Sequence, residues 1–373
     1  MEMITMFTQN IMEIVNHPTM VIMWIIGGIM IYLAIKKEME PTLLLPMGFG
    51  AILCNLPFSG AEHGGVAEVL ETLCSAGIAN ELFPLLLFIG IGAMIDFGPL
   101  LSNPKLLLFG AAAQFGIFFT LSLASLLGFD LKDAASIAII GAADGPTSIF
   151  VANYFNTKYL GAIIVAAYSY MALVPIVQPA CIKLITTKKE RQIHMEYNPA
   201  AVTTRTRILF PILVTVVAGI AAPKSAALVG FLMFGNLLRE CGVLNSLSQA
   251  AQNVLANLIT LLLGLTVAVR MQADAFLNPQ TLMILALGLV AFIFDTFGGV
   301  IFAKIINLFS KKKMNPMVGA AGISAFPMSS RVIAKMALEE DPSNFLLMHA
   351  AGANVAGQIA SCIAGGLIIA LVA

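Results

Sequence analysis

The sequence predicts an all-α polytopic membrane protein made of two inverted-topology repeats, with broken or re-entrant helices meeting at the bilayer midplane. Three observations carry that prediction. Of the 373 residues, 59% are hydrophobic and only 11% are charged, against roughly 25% charged in a soluble domain. The apolar residues gather into runs that cross, or nearly cross, a bilayer. Two breaks rich in Gly, Pro or Ser fall at corresponding places in the two halves of the chain.

Residues 1–19 form an N-terminal segment in which Met1–Asn16 is mixed and acidic, the pattern of an amphipathic surface helix rather than a cleavable signal peptide. The first apolar run is Met20–Ile35, closed by Lys36 and Lys37; a shorter one, Thr42–Leu56, contains Pro46, Gly48 and Gly50. Within the polar stretch Ser59–Glu81, the spacing of Val66, Val69, Leu70 and Leu73 predicts an amphipathic helix at the interface. Leu82–Ile95 and Leu106–Leu127 read as membrane helices, Asp133–Tyr154 as a broken segment, and Leu160–Ile185 as a run interrupted by Pro175 and Pro179. A basic linker over 186–207 separates the halves. Beyond it lie Ile208–Ala222, Ser225–Leu238, Val254–Val269 and Thr281–Phe309, the cluster Lys311–Lys313, a second break Asn315–Arg331, and the apolar Phe345–Ala373.

An internal repeat organises this order. Pro41…Gly48-Phe49 returns as Pro223…Gly230-Phe231, Asn103-Pro104 as Asn278-Pro279, and Gly141-Ala142-Ala143 as Gly319-Ala320-Ala321. The match of Ala166-Ala167 to Ala350-Ala351 sets Tyr170 opposite Asn354. The repeats are residues 20–185 and 208–373. Placing Lys36-Lys37, the linker and Lys311–Lys313 in the cytoplasm makes the first break enter from outside and the second from the cytoplasm, with the halves inverted.

The chemistry concentrates at the breaks. In Gly141-Ala-Ala-Asp-Gly-Pro-Thr147, Gly and Pro interrupt a helix and Asp144 stands in the gap. Freed backbone groups and a carboxylate are costly in lipid, and such a break survives where it lines a cavity or binds something. Discontinuous helices at the midplane hold Na⁺ or H⁺ in transporters. Asp144 with the Thr147 and Ser148 hydroxyls is therefore a candidate cation site; a kinked packing helix with a protonated Asp is the competing reading. The second break offers Asn315, Gly319, Ser324, Ser329, Ser330 and Arg331. The Arg331 guanidinium suits a carboxylate or carbamate bidentately, or pairs with Asp144 or Asp295, or snorkels to the surface. Tyr170 and Asn354 either ligate a cation or tie helices together, as does Gln358 one turn on. Asp295 is a second intramembrane acid with no break around it. The net charge of +0 carries no nucleic-acid footprint, and the five Cys and four His form no metal-like cluster.

Three motifs together closely resemble the β subunit of the biotin-dependent, sodium-pumping decarboxylases, which act on oxaloacetate, methylmalonyl-CoA, glutaconyl-CoA or malonate. They are Gly141–Thr147, Ala166-Ala-Tyr-Ser-Tyr-Met-Ala-Leu-Val-Pro175 and Asn315–Arg331. The resemblance spans essentially the whole chain, and its length is most similar to the acyl-CoA members. It implies an elevator-type carrier fold, decarboxylation of carboxybiotin with uptake of a proton, and Na⁺ export. It implies as partners a carboxyltransferase α subunit, a biotin carrier, a small single-span membrane subunit and further copies of the β chain, in the bacterial cytoplasmic membrane. Carried over residue by residue, Asp144 is implied for Na⁺, Ser324 for Na⁺ or the proton, and Tyr170, Asn315, Gly319 and Arg331 for coupling; the reading of the residues adds Tyr170, Thr147 and Asn354 to the candidate metal ligands. Arg331, Asn315 and Gly319 are implied for carboxybiotin, with Tyr170 and Ser324 joining Arg331 and Asn315 in catalysis. A Na⁺-coupled carrier of a small carboxylate is the alternative that the repeat plan alone leaves open.

Overall fold

A computed structural model describes residues 2–38, 41–57, 65–196 and 202–373. All of its regular structure is helical: α1 Glu2–Asn16, α2 Thr19–Lys37, α3 Pro41–Cys54, α4 Val66–Gly77, α5 Leu82–Met94, α6 Gly98–Ser102, α7 Leu107–Ala112, α8 Phe115–Leu126, α9 Leu131–Ala138 and α10 Gly145–Tyr154. The long α11 Leu160–Ile185 and the short linker helix α12 Lys188–Arg191 follow. The second half holds α13 Thr204–Ala221, α14 Ala226–Glu240, α15 Asn245–Gln249, α16 Ala256–Val267, α17 Ala273–Phe276, α18 Pro279–Phe309, α19 Met317–Ala320, α20 Met328–Glu340 and α21 Leu347–Val372. Among the described residues seven helices are long and apolar enough to cross a membrane, or eight if α4 and α5, bent by 63°, make one span. The chain is a polytopic membrane protein.

Some boundaries follow from local chemistry. Asn278 caps α18 through its side chain, and Thr187 with Glu190 forms a reciprocal capping box on α12. Within the stretch Ser59–Glu81 the expected amphipathic helix forms as α4; residues 59–64 of the stretch lie outside the described residues. One expectation is corrected. Pro175 and Pro179 do not interrupt their run, and α11 is continuous over 26 residues with both prolines inside it. In lipid, water cannot take the freed carbonyls, so neighbouring helices and small local adjustments keep the helix whole.

Packing pairs each half with the other in a reciprocal way. α5 packs along α14 and α3 along α16; α11 packs on α18 and α21 on α7; α10 meets α21 and α20 meets α11. Backbones touch where two glycines face each other's helix. A Cβ on Gly92 would stand 1.9 Å from the Leu232 carbonyl oxygen, and one on Gly235 would stand 2.0 Å from that of Ile89. Burial separates the helices by role. Within the span, 67% of α21 and 56% of α11 are buried, against 22% of α2 and 11% of α13. α11 and α21 therefore form the interior against which both breaks rest, and α2 and α13 lie on the outside of the bundle.

Candidate functional site

The first break is a full interruption. α9 tightens into a 3₁₀ turn over Ile139–Ala142, Ala143 takes a left-handed φ of +51°, and α10 restarts at Gly145. Left-handed backbone costs an alanine about 1–2 kcal/mol, so the packing around it must hold the turn. Asp144 is the N-cap of α10, with Pro146 in the first turn, so its carboxylate sits at the positive end of that helix. Asp144 is 2% exposed. Its Oδ2 accepts from Thr147 Oγ1 at 2.7 Å, Ser361 Oγ at 2.8 Å and Gln358 Nε2 at 3.1 Å; its Oδ1 accepts from the Thr147 amide at 3.4 Å. Every one of these donors is neutral. The Ser148 hydroxyl turns back to the Asp144 carbonyl at 2.9 Å.

The second break meets the first directly. Ser324 donates its hydroxyl to the Ala142 carbonyl at 2.7 Å and its amide to the same oxygen at 3.2 Å. The helix α21 spans both breaks with one polar stripe. Asn354 donates to the Ile323 carbonyl of the second break at 2.7 Å, while Gln358 and Ser361, one and two turns on, reach Asp144 of the first. Asn354, Gln358 and Ser361 stand at i, i+4 and i+7, on one face of an otherwise apolar helix. The Asn354 Oδ1 and the Tyr168 hydroxyl have no hydrogen-bond partner among the described residues, and the Tyr168 ring packs on Gly145 beside Asp144. Buried oxygens left unpaired cost about 1–3 kcal/mol each, and an oxygen-seeking cation takes such atoms as ligands.

The other expected residues are placed as follows. Tyr170 directs its hydroxyl to the Leu285 carbonyl of α18, and it is Tyr168, two residues earlier, that lies beside the break. Asn315 is buried and holds the linker: its Nδ2 donates to the Arg191 carbonyl at 2.6 Å and the Ile193 carbonyl at 3.0 Å, and its Oδ1 accepts from the Met317 amide at 3.1 Å. Gly319 lets two backbones touch, since its Cβ would stand 2.1 Å from the Gly299 carbonyl oxygen and the reverse distance is also 2.1 Å. Arg331 is exposed in the first turn of α20, and its side chain bonds to none of the described residues. It pairs with neither Asp144 nor Asp295.

Asp295 differs from expectation, because a break does adjoin it. The helix pair α7 and α8 is interrupted at Ala113-Gln114, and the Asp295 carboxylate accepts from the Ile117 amide at 3.2 Å at the start of α8. Its Oδ1 thus caps the restart of the helix, while its Oδ2 is buried with no hydrogen-bond partner among the described residues. Gln358 was legible as a polar residue one turn from Asn354; Ser361 and Tyr168 were missed. The i, i+4, i+7 pattern on α21 was the signal for Ser361, and nothing in the sequence separates Tyr168 from Tyr170.

A family model described as the Na⁺-transporting oxaloacetate decarboxylase beta subunit matches residues 19–372. Methylmalonyl-CoA decarboxylase subunit beta of Veillonella parvula is 49% identical over 350 residues, covering 94% of this chain and 92% of its own. Glutaconyl-CoA decarboxylase subunit beta of Acidaminococcus fermentans is 49% identical over 352 residues, with 94% and 92% covered. Oxaloacetate decarboxylase beta chain of Klebsiella pneumoniae is 43% identical over 407 residues, with 93% and 94% covered. These matches favour a decarboxylase subunit over a carboxylate carrier. With seven membrane-length apolar helices among the described residues and a family model matching residues 19–372, the chain belongs to the Na⁺-transporting oxaloacetate decarboxylase beta-subunit family, a multi-pass translocase subunit of the bacterial inner membrane.

Proposed function

We propose that the contact between the two breaks is the sodium site, and that loss of CO₂ from carboxybiotin drives sodium out through it. One observation carries this reading: a fully buried carboxylate, Asp144, sits in a helix break among neutral donors only. A carboxylate at that depth needs a counter-charge, and the cation being moved supplies it. Thr147, Ser361 and Gln358 orient the carboxylate. The unpaired Asn354 Oδ1 and Tyr168 hydroxyl, and the Ala142 carbonyl shared with Ser324, offer further oxygens. Tyr170, on the same helix as Tyr168, is left to pass a proton or to lock α11 to α18.

The reciprocal pairing of α5 with α14 and α3 with α16, of α11 with α18 and α21 with α7, and of α10 with α21 and α20 with α11 supports a twofold relation between residues 20–185 and 208–373. Residues 1–19 and the linker 186–207 lie outside the two repeats. Inverted halves around a midplane site move by rocking or sliding of one part against the other, and an elevator-type movement fits the lipid-facing α2 and α13 as its frame.

In this cycle a carboxyltransferase α subunit loads biotin on a carrier subunit, a small single-span subunit and further β chains complete the complex, and the α subunit chooses the acid. Carboxybiotin enters at the second break, where the unpaired Arg331 holds its carboxylate. The bond between the ureido nitrogen and the carboxyl carbon breaks, a proton goes to that nitrogen, and CO₂ leaves. Asn315 and Gly319 set the shape of the break, while Ser324 carries the change to Ala142 and so to Asp144. Only a ligand that binds two states unequally shifts their balance, and disappearance of the carboxylate at Arg331 supplies that inequality. Asp144→Asn in the purified complex should abolish Na⁺-dependent decarboxylation of free carboxybiotin; retained Na⁺-stimulated turnover would refute the site.

A further inference from the structure

The linker and Lys311–Lys313 lie at one end of the bundle, as the Asn315 bonds to Arg191 and Ile193 require, and the positive-inside rule puts that end in the cytoplasm. On its outer flank a groove of about 470 Å³ runs between α18, the linker and Lys313. One wall is aliphatic. Ile301, Ile305 and Leu308 recur at i, i+4 and i+7 on α18 and are 47%, 46% and 80% exposed, an aliphatic stripe that none of the described helices covers. The rim is basic, with Lys189, Lys304 and Lys313 set against a single carboxylate, Glu190, which pairs with Lys304 at 3.0 Å.

The rim is held in place by its own bonds. The α12 capping box fixes Lys189, with the Glu190 carboxylate accepting from the Thr187 amide at 2.7 Å. Lys313 sits in a turn clamped to the end of α18: Asn307 Nδ2 donates to the Met314 carbonyl at 2.7 Å, and its Oδ1 accepts from the Met314 amide at 2.8 Å. Two lysines without an ion pair among the described residues therefore flank a preformed aliphatic slot.

We propose that this groove binds an anionic phospholipid, its phosphate diester between Lys189, Lys304 and Lys313 and one acyl chain along Ile301, Ile305 and Leu308. A free phosphate would use the lysines and leave the aliphatic wall uncovered, and a zwitterionic lipid would cover the wall without matching the excess positive charge. Only an amphiphile with net negative charge satisfies both. Because Lys313 stands two residues before Asn315, the bound headgroup also tethers the entry to the second break.

The test uses the full chain, delipidated in detergent, with phosphatidylglycerol, phosphatidylcholine and inorganic phosphate as probes. Native mass spectrometry and thermal unfolding are the readouts. Phosphatidylglycerol is expected to remain bound and raise the Tm, and the other two to do neither. Lys189→Gln with Lys313→Gln should weaken its binding roughly 30-fold, at the usual contribution of each surface lysine to anionic-lipid attraction, and the same positions as arginine should restore it. Ile305→Ser should weaken it with the lysines intact. Equal stabilisation by phosphatidylcholine, an equal shift from phosphate alone, or unchanged binding in the double glutamine variant each overturn the proposal. So does dissociation of an oligomer by that variant, which would make the groove a contact between copies of this chain.

Discussion

At the first break a buried carboxylate collects donors from Thr147, Gln358 and Ser361, whereas at the second the freed backbone is tied down by neutral amides and hydroxyls from Gln178, Asn315, Asn354 and Ser329. The two share a Gly-Ala-Ala start and touch through Ser324 and Ala142. Neutral hydrogen bonds are enough to keep an interrupted helix in a membrane. In the proposed reading Asp144 does more than cap α10: it gathers Gln358 and Ser361 from α21 as well as Thr147, and that gathering of neutral donors is why the ion is placed on its side. The second break, with exposed Arg331 at one end and Asn315 gripping the linker at the other, is the part that in the proposed cycle reads the cytoplasmic substrate.

Substitutions on either side should separate these roles. After the complete loss expected at Asp144, the largest effect is at Arg331. Arg331→Leu should lower decarboxylation of dilute carboxybiotin by about 100-fold, as loss of one partner of a charge pair does, while Na⁺ binding stays intact; a parallel loss of Na⁺ binding would merge the two sites. Next come the residues that orient the carboxylate. Gln358→Leu or Ser361→Ala should weaken Na⁺ affinity about 10–100-fold, the usual effect of removing a group that positions a metal ligand. Titration of sodium-dependent activity checks this, and unchanged affinity would leave Asp144 without its proposed support.

Asn315→Ala sharpens the contrast from the second break. It strips partners from the Arg191 and Ile193 carbonyls, so the protein should lose about 1–3 kcal/mol of stability in thermal unfolding, with Na⁺ affinity unaltered. The smallest effect is at Glu190. Burial pushes its carboxyl up, but the Thr187 amide, Lys304 and the Thr187 hydroxyl together outweigh this and hold it below the ordinary carboxylate range. A carboxyl lowered by folding adds stability above its unfolded value, and that contribution fades as pH falls through the folded one. The Tm difference between the wild type and Glu190→Gln should thus be full at neutral pH and shrink below the ordinary carboxylate range. A difference that widened there would reverse the sign.

Much of this arrangement was legible because lipid makes local signals strict. Gly, Pro and an acid inside an apolar run have few tolerable meanings in a bilayer, so the first break was read from Gly141–Thr147 alone. The prolines of α11 misled for the same reason. Chain-breaking chemistry that holds in water is overridden when a helix is enclosed by others. Three-dimensional choices were not legible. Which of Tyr168 and Tyr170 faces Asp144 depends on the rotation of α11, and periodicity does not give the absolute phase of a helix that is apolar on all sides. A single hydroxyl in a run of small residues, as at Ser361, more often satisfies its own helix, and it is the packing of α10 on α21 that turns it toward the carboxylate. Asp295 needed the interruption between α7 and α8, which carries no proline.

Equilibrium binding of radioactive sodium to the detergent-purified chain reaches the central claim without any turnover. Wild type and Asn315→Ala should both show saturable binding that unlabelled Na⁺ displaces, and Asp144→Asn should show none. Undiminished sodium binding by Asp144→Asn, with the fold intact by thermal unfolding, would contradict the placement of the ion at the first break.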